Sequence, residues 1–289
     1  MNRISETDLI LNDDGSVYHL NLLPGDIADT VITVGDPERV HEVSKHFDRI
    51  ELKKTRREFL THTGTIGNKR LTVLSTGIGT DNIDIVLNEL DALVNIDLET
   101  LLPKESQQSL NIIRIGTSGA IQQDIQLDSL LVSDAAFGMD TLMHYYWHTN
   151  TAEQVRLLQQ FKASLPAGSP FIPYVGAVNR ELIGKLSAGL EQGITVSAPG
   201  FYAPQGRKVR AKVIYDQLIT VMQRFRSSGQ RITNLEMETA GIYGLASVLG
   251  HKAISFNIIL ANRVTRQFSK DPQRAINTSI EFVLERLLA

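Results

Sequence analysis

The chain has 289 residues, of which 42% are hydrophobic and 21% charged, as is typical of a globular domain. Its net charge of −3 at pH 7 leaves no strongly basic surface, which argues against nucleic acids and anionic membranes as partners. Cysteine is absent, so disulfides, thiolate nucleophiles and sulfur-ligated metals are excluded. With no signal peptide and no run long enough to span a bilayer, we expect a cytoplasmic protein that binds small molecules.

The chain opens with polar, irregular residues, and we expect 1–17 to be a flexible N-terminal extension. From Val31 the pattern changes to an apolar strand, a turn and a helix, with Pro37 suited to the first helical position. Gly35 between strand and helix frees backbone N–H groups for an anion, and Arg39 adds positive charge. The alternative is that this Gly-Asp-Pro sequence is a common turn between a strand and a helix, with no role in binding.

Residues 55–76 predict two strands on either side of a Gly67-Asn68 turn. The second strand ends in Gly77-Ile78-Gly79-Thr80, and an amphipathic helix follows. This glycine pattern lacks the third glycine of the dinucleotide fingerprint, and the chain contains no Walker pattern. The polar residues 97–110 predict a connecting loop or insertion.

The stretch Asn111–Gln122 carries the most specific chemistry. An apolar run that contains Arg114 and ends in Gly116-Thr117-Ser118-Gly119 predicts a buried strand that stops at a tight, hydroxyl-bearing turn. A guanidinium, two hydroxyls and backbone N–H groups at the carboxyl end of a parallel strand would suit an anion and a polyol. The alternative is an arginine paired with a carboxylate at a sheet edge.

An aromatic segment, Phe137–His148, contains His144 and His148 at the i, i+4 spacing of a helical metal site. No third ligand lies nearby and no glutamate stands in the zincin position, so we expect no metal. After it, helical and strand patterns alternate as far as Ser197, with one helix predicted from Asn179 to Leu190. That alternation predicts a mixed or parallel sheet covered by helices.

The loop after this alternation contains Phe201, Gln205 and Arg207. An aromatic ring, an amide and a guanidinium suit a flat heterocycle, which needs one face to stack on and donors for its carbonyls. An exposed proline-rich loop is an equally good interpretation.

Further along, Glu236-Met237-Glu238 stands just before an apolar helix. The two carboxylates can bind the hydroxyls of a polyol, or they can complement the helix dipole. A long apolar strand, Ala253–Leu260, then leads to Asn262-Arg263, and the last helix begins at Asp271-Pro272.

In order and spacing, these stretches resemble the nucleoside phosphorylase family, and within it the uridine-cleaving members, over nearly everything from Tyr18 to Arg263. The motifs that carry the resemblance are Val34-Gly35-Asp36-Pro37-Glu38-Arg39, Ser75-Thr76-Gly77-Ile78-Gly79, Arg114–Gln122, Phe201-Tyr202 with Gln205 and Arg207, and Glu236-Met237-Glu238. The resemblance implies one domain over residues 1–289, an α/β fold with a mixed, partly barrel-like central sheet flanked by helices. It also implies a pentosyltransferase that salvages nucleosides by converting uridine and inorganic phosphate, without a cofactor, to uracil and ribose 1-phosphate.

The resemblance assigns roles to individual positions. The phosphate would be held by Gly35, Arg39, Arg114 and Thr117, with Arg57 from a neighbouring subunit. The ribose would contact Glu236, Met237 and Glu238, with His19 from across a dimer interface. The base would contact Ser118, Gly119, Phe201, Gln205 and Arg207, with Arg263 in support. Among these, Arg207, Gln205 and Arg114 would act most directly on the reaction.

The family members form trimers of dimers, so the resemblance implies a homo-oligomer whose active sites are shared across each dimer. Purine-cleaving relatives lack the Gln205 and Arg207 pair and carry an acidic residue where this chain has Ala261-Asn262-Arg263, which favours a pyrimidine. A purine or broad-specificity phosphorylase and a non-catalytic nucleoside-binding protein are the alternatives. A hydrolase of this fold would have no use for three phosphate-binding arginines.

This chain also departs from the family pattern. Thr80-Asp81-Asn82 replaces the family's Gly-Gly-Pro-Ser, which argues against the monovalent cation that some relatives bind at positions matching Glu58, Ile78 and Asn82. Gly206 replaces a more polar residue between the two base-reading side chains, so base selectivity is expected to be looser.

Overall fold

One large β-sheet organises the computed structural model, which describes residues 3–289. The strands in chain order are β1 (Thr30–Val34), β2 (Arg49–Arg56), β3 (Phe59–Ile66), β4 (Lys69–Ser75), β5 (Ile96–Asp97), β6 (Leu102–Pro103), β7 (Asn111–Ala120), β8 (Leu130–Gly138), β9 (Tyr174–Ala177), β10 (Glu191–Ser197), β11 (Arg226–Ser227), β12 (Gln230–Glu236), β13 (Lys252–Asn262) and β14 (Gln267–Phe268). The helices are α1 (Pro37–Ser44), α2 (Thr80–Asn95), α3 (Ala152–Ser164), α4 (Arg180–Leu186), α5 (Leu218–Arg224), α6 (Thr239–Leu249) and α7 (Pro272–Leu288).

The central strands close into a barrel. β7 pairs with β13, β13 with β8, β8 with β10, and β10 with β12, which returns to pair with β7. Four more strands extend the sheet from β7 in the order β1, β4, β3, β2. Strands β4, β1, β7 and β13 run parallel to one another in this order. Of these, β1, β7 and β13 are rich in buried valine and isoleucine, as strands covered on both faces usually are. The expected mixed, partly barrel-like α/β fold is confirmed.

The barrel closure corrects the sequence interpretation of the Arg114 stretch. The strand does not stop at Gly116, because β7 continues through Thr117, Ser118 and Gly119 to Ala120. These last residues pair with β13 on one side, and Gly119 and Ala120 also pair with β12 on the other. The backbone groups expected to be free in a turn are therefore mostly used by the two neighbouring strands.

Several helices begin where the sequence predicts. The Asp36 side chain accepts a hydrogen bond from the Glu38 backbone N–H ahead of α1, with Pro37 in the first turn. Asp271 caps α7 in the same way. The predicted helix 179–190 is shorter in the structure, ending as α4 at Leu186. Strand β2 was missed, because as a charged edge strand it lacks an apolar run.

Two segments expected to be irregular make specific contacts. Within 3–17, Val17 is buried, and the Ile4 backbone N–H donates to the Leu101 carbonyl. The 97–110 segment, predicted to be a loop, contains one strand of the β5–β6 hairpin and buries Leu110 completely. No helix within residues 3–289 is long and apolar enough to cross a membrane.

Candidate active site

A cavity of about 680 Å³ lies at the carboxyl ends of the parallel strands β1, β4, β7 and β13 and beside the ends of β10 and β12. This is the edge at which α/β sheets bind their ligands. The sequence-predicted residues that line it are Gly35, Arg39, Arg114, Thr117, Ser118, Gly119, Phe201, Gln205, Arg207, Glu236, Met237 and Glu238. His19 and Arg57 do not line it.

Arg114 lies buried at the floor of this cavity between two carboxylates. Its Nη2 is 2.9 Å from Oε2 of Glu236 and 2.7 Å from Oε2 of Glu238, and its Nη1 donates to Oδ1 of Asn257 at 3.2 Å. Burial alone would lower the pKa of Arg114, but the two carboxylates outweigh it and hold the pKa above its usual value. The arginine is therefore paired, as the alternative interpretation proposed, yet it stands inside the barrel and not at a sheet edge.

Gly116 makes room for this arginine. A Cβ on Gly116 would overlap the Arg114 guanidinium, which lies across the strand at that point. Gly116 does not have a positive φ, so a glycine is needed there only because the guanidinium lies too close to the backbone for a Cβ.

The two glutamates have different surroundings. Glu236 accepts hydrogen bonds from the backbone N–H groups of Glu238 and Thr239 at the start of α6 and from the Ser197 hydroxyl. Glu238 accepts from the Gly79 N–H at 2.8 Å and pairs with Arg114. Burial raises the pKa of Glu238, and Glu236 adds to the rise while Arg114 opposes it. Glu236 therefore serves the helix start, as one of the two sequence interpretations has it, while Glu236-Met237-Glu238 also lines the cavity. The binding of a polyol by these residues stays a prediction.

Arg39, at the start of α1, brings a second guanidinium to the cavity beside Gly35 and Thr117. Burial lowers the pKa of Arg39, and the nearby Arg114 charge lowers it further. Two guanidinium groups that line one cavity form a site at which an anion would be stabilised.

The loop after β10 folds back on itself. The Arg207 guanidinium lies 3.6 Å above the centre of the Phe201 ring, and its Nη1 donates to the Phe201 carbonyl and to Oε1 of Gln205, the latter at 2.7 Å. Arg263 Nη1 donates to the Gln205 carbonyl at 3.0 Å, and Gln205 is buried while Phe201 is half exposed. Burial, with the Arg263 charge, lowers the pKa of Arg207 to about 10. This loop is therefore held in place and is not simply an exposed proline-rich segment.

His19 and Arg57 meet elsewhere, around Tyr18. The His19 ring lies edge-on to Tyr18, with 4.9 Å between ring centres, and the Arg57 guanidinium stands 5.6 Å from the Tyr18 ring. The His19 Nδ1 is 2.6 Å from Oε1 of Glu89, whose carboxylate also accepts the backbone N–H groups of His19 and Leu20. The structure brings these two residues together on one patch outside the cavity of their own chain.

Sequence reasoning missed several residues of the site. Asn257 and Ser255 of β13 lie behind Arg114, and Phe268 of β14 contributes to the wall. The signal for the first two was present, since polar residues inside the long apolar strand are unusual in a buried sheet. Phe268 belongs to a short strand that has no periodic pattern of its own.

The positions discussed for a cation and a metal can also be located. Glu58, Ile78 and Asn82 line the cavity, and the amide nitrogen of Asn82 faces Gly77. The absence of a monovalent cation at these positions stays a prediction. His144 Nε2 donates to the Ile172 carbonyl, and His148 Nδ1 donates to the Tyr146 carbonyl. Across residues 3–289 no three histidine or acidic side chains are grouped to hold a metal ion.

Comparison with known proteins places this geometry in a family. A sequence model of the Phosphorylase superfamily matches residues 29–289. A uridine phosphorylase of Thermococcus kodakarensis is 32% identical over 258 residues, covering 89% of this chain and 82% of that protein. A DeoD-type purine nucleoside phosphorylase of Bacillus cereus is 27% identical, covering 92% and 97%.

A solved structure agrees with these matches. A Trypanosoma brucei nucleoside phosphorylase, described as showing uridine phosphorylase activity, superposes with a TM-score of 0.83 at 29% identity, covering 97% of this chain and 99% of that one. The match of the family model to residues 29–289 is nearly complete, and the chain therefore belongs to the phosphorylase superfamily.

Proposed function

We propose that this pentosyltransferase cleaves uridine with inorganic phosphate, giving uracil and ribose 1-phosphate. Phosphorolysis of a nucleoside is the activity of the relatives named above, and uridine is the more specific part of the proposal. The observation that carries that part is the pairing of Gln205 with Arg207 in the cavity wall.

The pair matches the edge of a uracil ring. That edge presents a carbonyl, an N–H and a second carbonyl, so its complement is a donor, an acceptor and a donor. The two side chains contact each other, with 2.7 Å between Arg207 Nη1 and Oε1 of Gln205, and together they supply guanidinium donors, an amide oxygen acceptor and an amide N–H donor. The half-exposed Phe201 ring beside them offers apolar surface for a flat base.

The phosphate would bind where Arg39, Arg114 and Thr117 line the cavity with the Gly35 backbone. Arg57 of a neighbouring subunit would add a third guanidinium. Holding phosphate beside the anomeric carbon makes its attack effectively intramolecular. A phosphate oxygen forms the new bond to that carbon as the bond to the base nitrogen breaks, and the bonding electron pair leaves with the uracil.

The charges that develop in this step have matching partners. The sugar becomes oxocarbenium-like, and Glu238 and Met237 would contact it, with Glu238 accepting from ribose hydroxyls. The leaving uracil gains negative charge on its carbonyls, where Arg207 and Gln205 would stabilise it by ~3–4 kcal/mol per donor. Arg263 supports these donors by fixing the Gln205 backbone at 3.0 Å.

We propose that the working unit is at least a dimer, because His19 and Arg57 lie outside the cavity of their own chain. Both project near Tyr18 on one patch, so a neighbouring copy can deliver them together. A dimer that exchanges these residues reciprocally would complete two cavities with one interface.

The first experiment measures base and sugar phosphate released from uridine, thymidine and inosine, each with and without phosphate. We expect uracil only when phosphate is present, and much faster release from uridine than from inosine. Uracil release without phosphate would show hydrolysis and remove the role given to the arginines. Equal turnover of inosine and uridine would overturn the assignment of Gln205 and Arg207.

A second experiment tests the shared site. Arg57→Ala and Arg114→Ala should each abolish most turnover, and refolding the two inactive chains together should restore part of it, because some cavities then receive both arginines. The Arg57→Ala chain refolded alone is the control. Mixed samples that stay as inactive as the control would argue that Arg57 acts within its own chain, and an active Arg57→Ala chain would show that Arg57 has no role.

A further inference from the structure

Inside the barrel, four fully buried polar side chains join one another across the strands. They are Asn257 of β13, Ser133 of β8, Thr195 of β10 and Asn234 of β12, and we call them the barrel relay. Asn257 Nδ2 donates to the Ser133 hydroxyl at 2.8 Å, Ser133 lies 2.6 Å from the Thr195 hydroxyl, and Thr195 donates to Oδ1 of Asn234 at 3.0 Å. Each side chain of the relay comes from a different strand of the closed barrel.

The two ends of the relay meet the cavity at β7. Asn257 Oδ1 accepts from Arg114 Nη1 at 3.2 Å, and Asn234 Nδ2 donates to the Ser118 hydroxyl at 2.6 Å. Arg114 and Ser118 line the cavity, whereas the four relay residues do not. The relay therefore runs once around the barrel, from the position proposed for phosphate to a position proposed for the base.

All of its hydrogen bonds point the same way. Thr195 has one hydroxyl proton, which it donates to Asn234, so Ser133 must be the donor in the Ser133–Thr195 bond. The Ser118 hydroxyl in turn donates to the Leu235 carbonyl at 2.9 Å. Donation thus proceeds without interruption from the Arg114 cation to Leu235. Hydrogen bonds arranged head to tail in a buried environment polarise and strengthen one another.

We propose that the barrel relay is a positioning device that holds Arg114 and Ser118 in their working orientations, so that breaking it in the middle impairs the binding of both substrates. The inference rests on the proposed function for the identity of those substrates. The four relay residues do not line the cavity. They act through Arg114 and Ser118, which they contact at the two ends of the relay. A buried polar network of this kind is stabilising only when each member is satisfied, so loss of one bond disturbs the others.

The test uses Thr195→Val, which keeps the side-chain shape and removes the hydroxyl in the middle of the relay. The substitution removes two relay bonds, one accepted from Ser133 and one donated to Asn234. We expect the KM for phosphate and the KM for uridine each to rise by about three- to tenfold, which corresponds to about one buried hydrogen bond for each substrate. Thr195→Ser retains the hydroxyl and should restore both values. Thr63→Val is the matched control, since Thr63 is equally buried in a strand and bonds the Thr72 hydroxyl at 2.8 Å, outside the barrel.

A second break tests whether the relay acts as a unit. Ser133→Ala should reproduce the kinetic effect of Thr195→Val, and the double variant should show little further loss, because both substitutions remove the same bond. Effects that add fully would overturn the proposal. So would wild-type KM values in Thr195→Val, or an equal change in Thr63→Val.

Binding of inorganic phosphate alone, measured by calorimetry, separates this inference from the proposed function. Weaker phosphate binding in Thr195→Val but not in Thr63→Val supports the relay even if uridine proves not to be the substrate. Normal uridine turnover with unchanged phosphate binding in both relay variants would refute the relay and leave the proposed function intact.

Discussion

Gly116→Ala is the substitution that most directly tests the geometry around Arg114. The added Cβ would overlap the guanidinium, which must then leave its present position. Alanine is compatible with the extended backbone there, because Gly116 does not have a positive φ. The whole effect is therefore expected to act through the displaced arginine.

The structure sets the size of the effect. Arg114 now contacts Glu236 at 2.9 Å, Glu238 at 2.7 Å and Asn257 at 3.2 Å, and a displacement weakens all three contacts. Hydrogen bonds to charged groups contribute about 1.5–3 kcal/mol each. If the substitution costs one such bond to phosphate, the KM for phosphate rises on the order of 10- to 100-fold. Overpacking should also lower the free energy of unfolding by about 1–3 kcal/mol.

Initial rates of uridine phosphorolysis at varied phosphate concentration provide the assay, together with thermal unfolding. Gly64→Ala is the control, since its Cβ would overlap the Arg49 carbonyl and the Phe47 ring, neither of which lines the cavity or contacts the relay. That variant should lose stability and keep its KM for phosphate. A Gly116→Ala enzyme with wild-type phosphate kinetics would refute the reasoning, because Arg114 could then work from another position.

Three other measurements follow from the buried charges. Burial and the neighbouring His41 and Lys53 lower the pKa of His62 from 6.5 to about 4. On acidification the unfolded chain therefore takes up a proton at His62 at a higher pH than the folded chain does. The free energy of unfolding should fall as the pH drops from 6.5 towards 4. His62→Asn should flatten this dependence in pH-resolved denaturant titrations, and an unchanged slope would contradict it. Because the pKa of Glu238 is raised in the fold, its ionised form is disfavoured there, and Glu238→Gln should unfold at a higher temperature than the wild type at pH 7. This difference in unfolding temperature should shrink as the pH is lowered, because the wild-type carboxylate then becomes protonated. Turnover of the variant should fall. Arg207→Lys should raise the KM for uridine by on the order of tenfold and leave that for phosphate unchanged; an equal change in both would show that Arg207 does not act on the base alone.

Local patterns predicted most of the elements of this fold. Cap residues such as Asp36 and Asp271 mark helix starts through a hydrogen bond within the same few residues, so sequence reasoning finds them. Strand β2 and the continuation of β7 were missed because both depend on partners far along the chain. The sequence Gly-Thr-Ser-Gly after Ile115 suggests that the strand ends. It remains extended because β12, far along the chain, pairs with Gly119 and Ala120.

The cavity residues also differ in whether their signal is local or depends on partners far along the chain. Motifs with several polar residues in a row, such as Glu236-Met237-Glu238, could be recognised one by one and lie together in the structure. The relay residues Asn257, Ser133 and Thr195 could not be connected in advance, since they lie on three different strands and only the barrel register brings them together. A single polar residue in an apolar strand gives little information until its partner is known.

The two glutamates beside Arg114 show why position within a motif does not fix a role. The Glu236 carboxylate accepts hydrogen bonds from the N–H groups that start α6 and from Ser197, and it pairs with Arg114. Few of its lone pairs therefore remain for a substrate hydroxyl. Glu238 accepts hydrogen bonds from the Gly79 N–H and from Arg114, and burial together with the Glu236 charge raises its pKa. The first glutamate is therefore suited to fix the arginine and the helix, and the second to accept hydrogen bonds from the ribose.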